Sequence, residues 1–159
     1  MLKTAGVILI SASLALYGVF RSHRIMDRSH LLQEICLFIR NVEQGIRFGG
    51  KNLQTILASG SFPILNRAGF TKAAENSLYR SEAARLLTEL NDEEKDNLSS
   101  FLINIGKSHY CEKEINLCRM HLAYFEETAE KAAAECRTKA SLYRKLGIIS
   151  AVCCAVILL

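Results

Sequence analysis

Apolar residues recur at three- and four-residue intervals through the middle of the chain, and uncharged apolar runs close both ends. From His30 to Phe48 the positions Leu32, Ile35, Ile39, Val42 and Ile46 alternate spacings of three and four, which is the seam of a heptad helix. Gly49-Gly50 predicts its end. Lys51 to Ala58 predicts a short helix with Leu53, Ile56 and Leu57 on one side, and Ser59-Gly60-Ser61 a loop. Pro63 predicts a new helix start, because its fixed φ and missing N–H suit a first turn. Thr71 to Tyr79 reads as a further short helix. Ser81 can cap a helix from Glu82 to Leu90 that turns Ala83, Leu86, Leu87 and Leu90 inward. Asn91, followed by Asp92, Glu93 and Glu94, has the form of an N-cap with acids in the first turn, where the positive end of the helix dipole favours them. Leu98, Phe101, Leu102 and Ile105 then form a buried stripe that Gly106 ends. Ser108 is expected to cap the longest element, Tyr110 to Tyr143. There Ile115, Cys118, Leu122, Phe125, Ala129, Ala132, Cys136 and Tyr143 keep the heptad rhythm with no Gly or Pro.

The two ends follow a different pattern. Thr4 to Phe20 is a run of 17 residues without a charge, at the lower limit for a transmembrane helix. Leu146 to Leu159 is uncharged for 14 residues. At a rise of ~1.5 Å per residue the tail reaches only ~21 Å against a hydrocarbon core of ~30 Å, so it spans a thinned bilayer or stops part-way. A cleaved signal peptide fits the first run less well: its n-region is only Met1–Lys3, and Ser13-Leu14-Ala15 is a poor cleavage site inside the apolar stretch.

Charge explains the composition. Half the residues are apolar and the mean hydropathy is +0.13, yet 23% are charged and the net charge is +4. The flanks, residues 21–28 and 137–145, carry seven Lys/Arg against one acid. These basic residues are Arg21, Arg24, Arg28, Arg137, Lys139, Arg144 and Lys145. Residues 29–136 carry 12 Lys/Arg and 15 acids, a net charge of −3 that offers nothing to nucleic acid. Both basic flanks lie on the body side of their apolar runs, so the positive-inside rule places the body in the cytoplasm.

The expected fold is therefore all-α: an antiparallel bundle of about six helices with two long heptad helices, anchored by N- and C-terminal membrane segments. The expected division is an N-terminal transmembrane anchor at 1–20, a cytoplasmic helical bundle at 21–145 and a short C-terminal membrane segment at 146–159.

Candidate chemistry is sparse. Patterns for a P-loop, HExxH, GxGxxG, GxSxG or CxxC are missing. The acids Asp92 to Asp96 lack the central Gly and terminal Glu of a calcium loop. Cys111, Cys118 and His121 share one helix face, but three residues on one helix do not supply the closed tetrahedral set that zinc takes. The six cysteines read as small hydrophobes of a reducing compartment. The reading is a non-enzymatic chain with no catalytic residue, no cofactor and no metal.

Three stretches carry a resemblance to a known family. Val42-Glu43-Gln44-Gly45-Ile46-Arg47-Phe48-Gly49 is similar to the L-E-x-E-I-x-Y-G segment that closes the first long helix of stage III sporulation protein AB in endospore-forming bacteria. Glu43, Ile46 and Gly49 match, and Phe48 stands for Tyr. Ile105-Gly106-Lys107-Ser108-His109 resembles that family's turn before the last helix, and Leu142-Tyr143-Arg144-Lys145-Leu146-Gly147 its entry into the tail. Gly45 replaces the family's second Glu, Lys51-Asn52 its Thr-Pro, and His109 its turn Asp. The resemblance spans essentially the whole chain. It implies a body similar to the six-helix cytoplasmic domain of type II secretion platform proteins. It also implies a role as the inner-membrane platform of a secretion-like channel between mother cell and forespore, needed for late forespore gene expression. Implied partners are the stage III sporulation AA-type ATPase, other membrane subunits of the complex and membrane lipid, with homo-oligomerisation left open and nucleic acid not expected. The implied location is the mother-cell membrane around the forespore. The distal face holding Glu43, Ile46, Phe48, Gly49, Leu53, Gly106, Ser108 and His109 is the expected partner contact, although glycines at helix ends equally serve only to end helices. The alternative is a general membrane-anchored coiled-coil scaffold, or a membrane-shaping protein, outside sporulation.

Overall fold

The computed structural model describes residues 2–49, 53–76, 79–108 and 110–158, and among them every regular element is helical. The order is α1 (Leu2–Gly49), α2 (Leu53–Ser59), α3 (Pro63–Arg67), α4 (Phe70–Glu75), a 3-10 turn (Ala83–Leu86), α5 (Asp92–Asn104), α6 (Cys111–Glu135), a π-turn (Cys136–Ala140) and α7 (Ser141–Leu158). The apolar N-terminal run and the first heptad helix are thus parts of one continuous helix, α1. Gly50, Lys51, Asn52 and His109 lie outside the described residues, as do the side chains of Cys154, Ile157 and Leu158. The chain forms two compact units, residues 1–29 with 130–159, and residues 30–129.

The unit of residues 30–129 is built on the seam of α1. Leu32, Ile35, Ile39 and Val42 are at most 1% exposed, as the heptad requires. Phe38 joins them at the centre. Its ring meets Phe62, Phe70 and Phe101 edge-on, at centroid distances of 5.7, 5.6 and 6.2 Å. These edge-to-face pairs put the positive rim of one ring on the negative face of another and add to the area each ring buries. From α6, Cys118, Leu122, Phe125 and Ala129 are buried in the same unit. The α1 and α6 segments run antiparallel: Arg40 pairs with Glu126, Glu43 with Arg119 at 3.2 Å, and the Cys111 thiol donates to the Ile46 carbonyl at 3.6 Å.

Helix α3 has only five residues, too few to be stable by its own hydrogen bonds. It is held from outside. The buried carboxylate of Glu34 on α1 accepts from the Ile64 N–H at 2.9 Å and the Leu65 N–H at 3.0 Å. Pro63 takes the first position, as expected. Asn91 forms a full capping box on α5: its side chain accepts from the Glu94 N–H at 2.7 Å, and the Glu94 carboxylate accepts from the Asn91 N–H at 2.9 Å.

Three expectations need correction. The helix expected over Thr71–Tyr79 is described as Phe70–Glu75, which ends where Asn76 turns to an extended conformation; Ser77 and Leu78 lie outside the described residues. The helix expected over Glu82–Leu90 is reduced to the 3-10 turn Ala83–Leu86, and Leu86 is 47% exposed instead of buried. Ser81 gives this turn no side-chain cap, its carbonyl instead accepting from the Ser99 hydroxyl at 2.9 Å. The uniform last helix is interrupted by the π-turn. There the Thr138 hydroxyl donates to the Ala134 carbonyl at 3.0 Å, competing with the backbone ladder.

The unit of residues 1–29 and 130–159 packs through glycine. A Cβ added to Gly18 would lie 2.8 Å from the Tyr143 carbonyl oxygen and 2.9 Å from the Gly147 Cα, so the two backbones meet where any larger residue would collide. The Arg21 guanidinium sits 5.8 Å from the centre of the Tyr143 ring. Large apolar side chains are exposed on this unit: Leu16, Phe20, Ile149 and Val152 are all more than half exposed. Among the described residues no helix is long and apolar enough to cross a membrane.

Candidate functional site: a partner face and a basic junction

The described residues at and around the expected partner contact divide into an internal set and an exposed set, and of the expected residues only Phe48 is in the exposed aromatic set. Glu43 belongs to the first. Its carboxylate is largely buried and pairs with Arg47 at 2.6 Å, one turn on, and with Arg119 of α6 at 3.2 Å. It ties α1 to α6. The Gly106-Lys107-Ser108 turn is also internally organised. Gly106 has a φ of 81°, a left-handed conformation that side chains disfavour. Its N–H donates to Glu114 at 2.8 Å, and the Ser108 N–H donates to the other oxygen of the same carboxylate at 2.7 Å. Glu114 is 5% exposed and makes this turn. Sequence reasoning missed it: a Glu six residues after the Ser is outside the spacing of a capping box, and only the fold brings it back. The Ser108 hydroxyl accepts from the Tyr110 N–H at 3.2 Å.

The exposed set is aromatic and basic. Phe48 is 79% exposed at the end of α1, and Tyr110 is 70% exposed just before α6. The Cys111 to Ile46 contact brings these two helix ends together. Arg47 lies 5.9 Å from the Phe48 ring centre, and Lys113 lies 5.3 Å from that of Tyr110. Ile46 and Leu53 are half-buried.

Glu34, Glu94 and Glu114 are buried polar groups that hold backbone N–H groups, whereas the buried His121 meets side chains. His121 is 4% exposed, its Nδ1 is 2.6 Å from the Asn97 amide oxygen, and its ring contacts Phe101. Burial lowers its pKa from the ordinary histidine value. Burial pushes the Cys36 thiol up to about 11, with Glu126 adding to the shift, and the Cys118 thiol up to about 12, with Glu43 and Glu114 adding. Both thiols stay protonated at neutral pH and are poor nucleophiles. Among the described residues no three His, Cys, Asp or Glu side chains stand where they could share a metal ion.

The second candidate is the basic junction in the unit of both termini. Arg21, Arg24, Arg137, Arg144 and Lys145 are exposed and Arg28 is half-buried. Lys139 pairs with Glu135 at 3.0 Å, one turn away.

No curated protein and no solved structure matches the chain. The family model for stage III sporulation protein AB matches residues 3–159, taking in the seam of α1, the Gly106 turn and the tail together. That family is not a known enzyme family. With a match over essentially its whole length, the chain belongs to the stage III sporulation protein AB family.

Proposed function

We propose that the protein is a non-enzymatic inner-membrane platform subunit of a secretion-like channel between mother cell and forespore. In this reading it links a cytoplasmic AA-type ATPase to the other membrane subunits of the complex and is needed for late forespore gene expression. The observation that carries the reading is the family match over residues 3–159, which gives the chain its place in sporulation and includes both apolar ends as well as the helical body. The exposed apolar side chains of the terminal unit support membrane attachment, since Leu16 and Ile149 face outward where water would disfavour them. The first uncharged run extends only ~26 Å as helix, so the bilayer thins around it or its basic neighbours reach up to the headgroups. The exposed pair Phe48 and Tyr110, each with a cation over its ring, supports a docking face at that end of the body. Aromatic side chains of this kind are enriched where proteins meet.

Deletion tests the reading. Cells lacking the protein should engulf a forespore and then fail to raise late forespore transcription. Normal late transcription in the deletion strain would remove the protein from the channel and leave a general membrane-anchored scaffold.

A further inference from the structure

The two basic flanks of the terminal unit are far apart in sequence, and the structure holds them side by side at a fixed relative height. Gly18 sets that height through its backbone contact with Tyr143 and Gly147, and Arg21 confirms it one turn on by lying over the Tyr143 ring. The two segments run antiparallel, with the π-turn Cys136–Ala140 interrupting the second. Arg24 therefore follows Arg21 along one helix beside Lys139, while Arg144 and Lys145 stand level with the Gly18 contact, about one turn nearer the apolar end than Arg21. The acids of these stretches are Asp27, Glu130 and Glu135, and Glu135 is held by Lys139. The result is a cationic collar drawn from both ends of the chain. On the far side of the Gly18 contact the exposed side chains turn apolar, with Leu16, Ile148 and Val152 more than half exposed.

We propose that this unit is a binding site for anionic phospholipid, formed jointly by the two ends of the chain. The collar takes headgroup phosphates and the apolar sleeve takes acyl chains. The inference rests on the membrane reading above and goes beyond it by naming the lipid. Nucleic acid or an acidic protein would use the collar and leave the sleeve uncovered. An anionic bilayer covers both, because clustered Lys and Arg beside an apolar helix are drawn to its surface charge.

The chain has no tryptophan, so a single introduced one reports alone. Leu146→Trp places it beside Lys145, at a position 49% exposed. The full chain is reconstituted in vesicles of equal phosphatidylcholine and phosphatidylglycerol, with bromine on the acyl chains of one lipid or the other. Quenching by brominated phosphatidylglycerol should exceed that by brominated phosphatidylcholine about twofold or more. The preference should vanish when Arg21→Gln, Arg24→Gln, Arg144→Gln and Lys145→Gln are combined. Equal quenching by the two lipids in the otherwise native chain would overturn the anionic-lipid site and leave membrane insertion standing. A preference that survives the four substitutions would overturn the collar as its source. Absence of quenching by either lipid would overturn the membrane reading itself.

Discussion

Three buried carboxylates, Glu34, Glu94 and Glu114, each accept hydrogen bonds from backbone N–H groups that a helix start or turn leaves open. Such charge-assisted bonds matter most when one partner is removed, because the buried donors left behind have no water to turn to. Glu34→Ala orphans the Ile64 and Leu65 N–H groups and should cost about 2–3 kcal/mol in denaturant unfolding of the detergent-solubilised chain. A loss within a few tenths of a kcal/mol would show that α3 holds its place without it. His121 gives a pH dependence. Burial holds its folded pKa below the unfolded value, so the unfolded chain binds the proton more readily. Its contribution is fully present above the unfolded value and is lost as pH falls through it, toward the folded pKa. Between pH 7 and pH 5 the melting temperature should fall, and His121→Gln should flatten that slope. At this scale the sequence was least informative: Asn91 was legible because its cap is local, whereas the roles of Glu34 and Glu114 depend on chain segments folding back onto them.

At the scale of elements, the seam of α1 was legible because a heptad states its own buried face. Leu32, Ile35, Ile39 and Val42 are buried as their spacing required. Ile39→Asp places an unpaired charge in a fully buried position and should destabilise the unit by about 3–5 kcal/mol, read as a lower melting temperature. An unchanged melting temperature would contradict the seam. The short segments were not legible for a physical reason. A stretch such as Glu82–Leu90 has too few residues to hold a helix by itself, so packing decides its form, and it settles as a 3-10 turn. The π-turn escaped notice because Thr138 is an ordinary helix-surface residue until its hydroxyl competes for a backbone carbonyl. The partner-contact residues divided along the same line. Glu43 and the Gly106 turn are held by partners distant in sequence, while Phe48, an apolar residue at the end of its helix, remains exposed.

For the whole molecule, family membership fixes a role in sporulation, and the platform role follows from it as a proposal with separable tests. If Phe48 and Tyr110 form the docking face, Phe48→Ala with Tyr110→Ala should weaken recovery of the ATPase about tenfold or more while leaving the melting temperature unchanged, since both side chains are exposed. Undiminished recovery would move the contact elsewhere. The central claim is that this chain joins a cytoplasmic ATPase to a membrane complex during sporulation. Its most direct test is affinity purification of the tagged full chain from solubilised membranes of sporulating cells, with the co-purifying proteins identified by mass spectrometry. The account predicts an ATPase and further membrane subunits, absent from the same preparation of vegetative cells. Recovery of the chain alone, or with the same proteins from both kinds of cell, would contradict it.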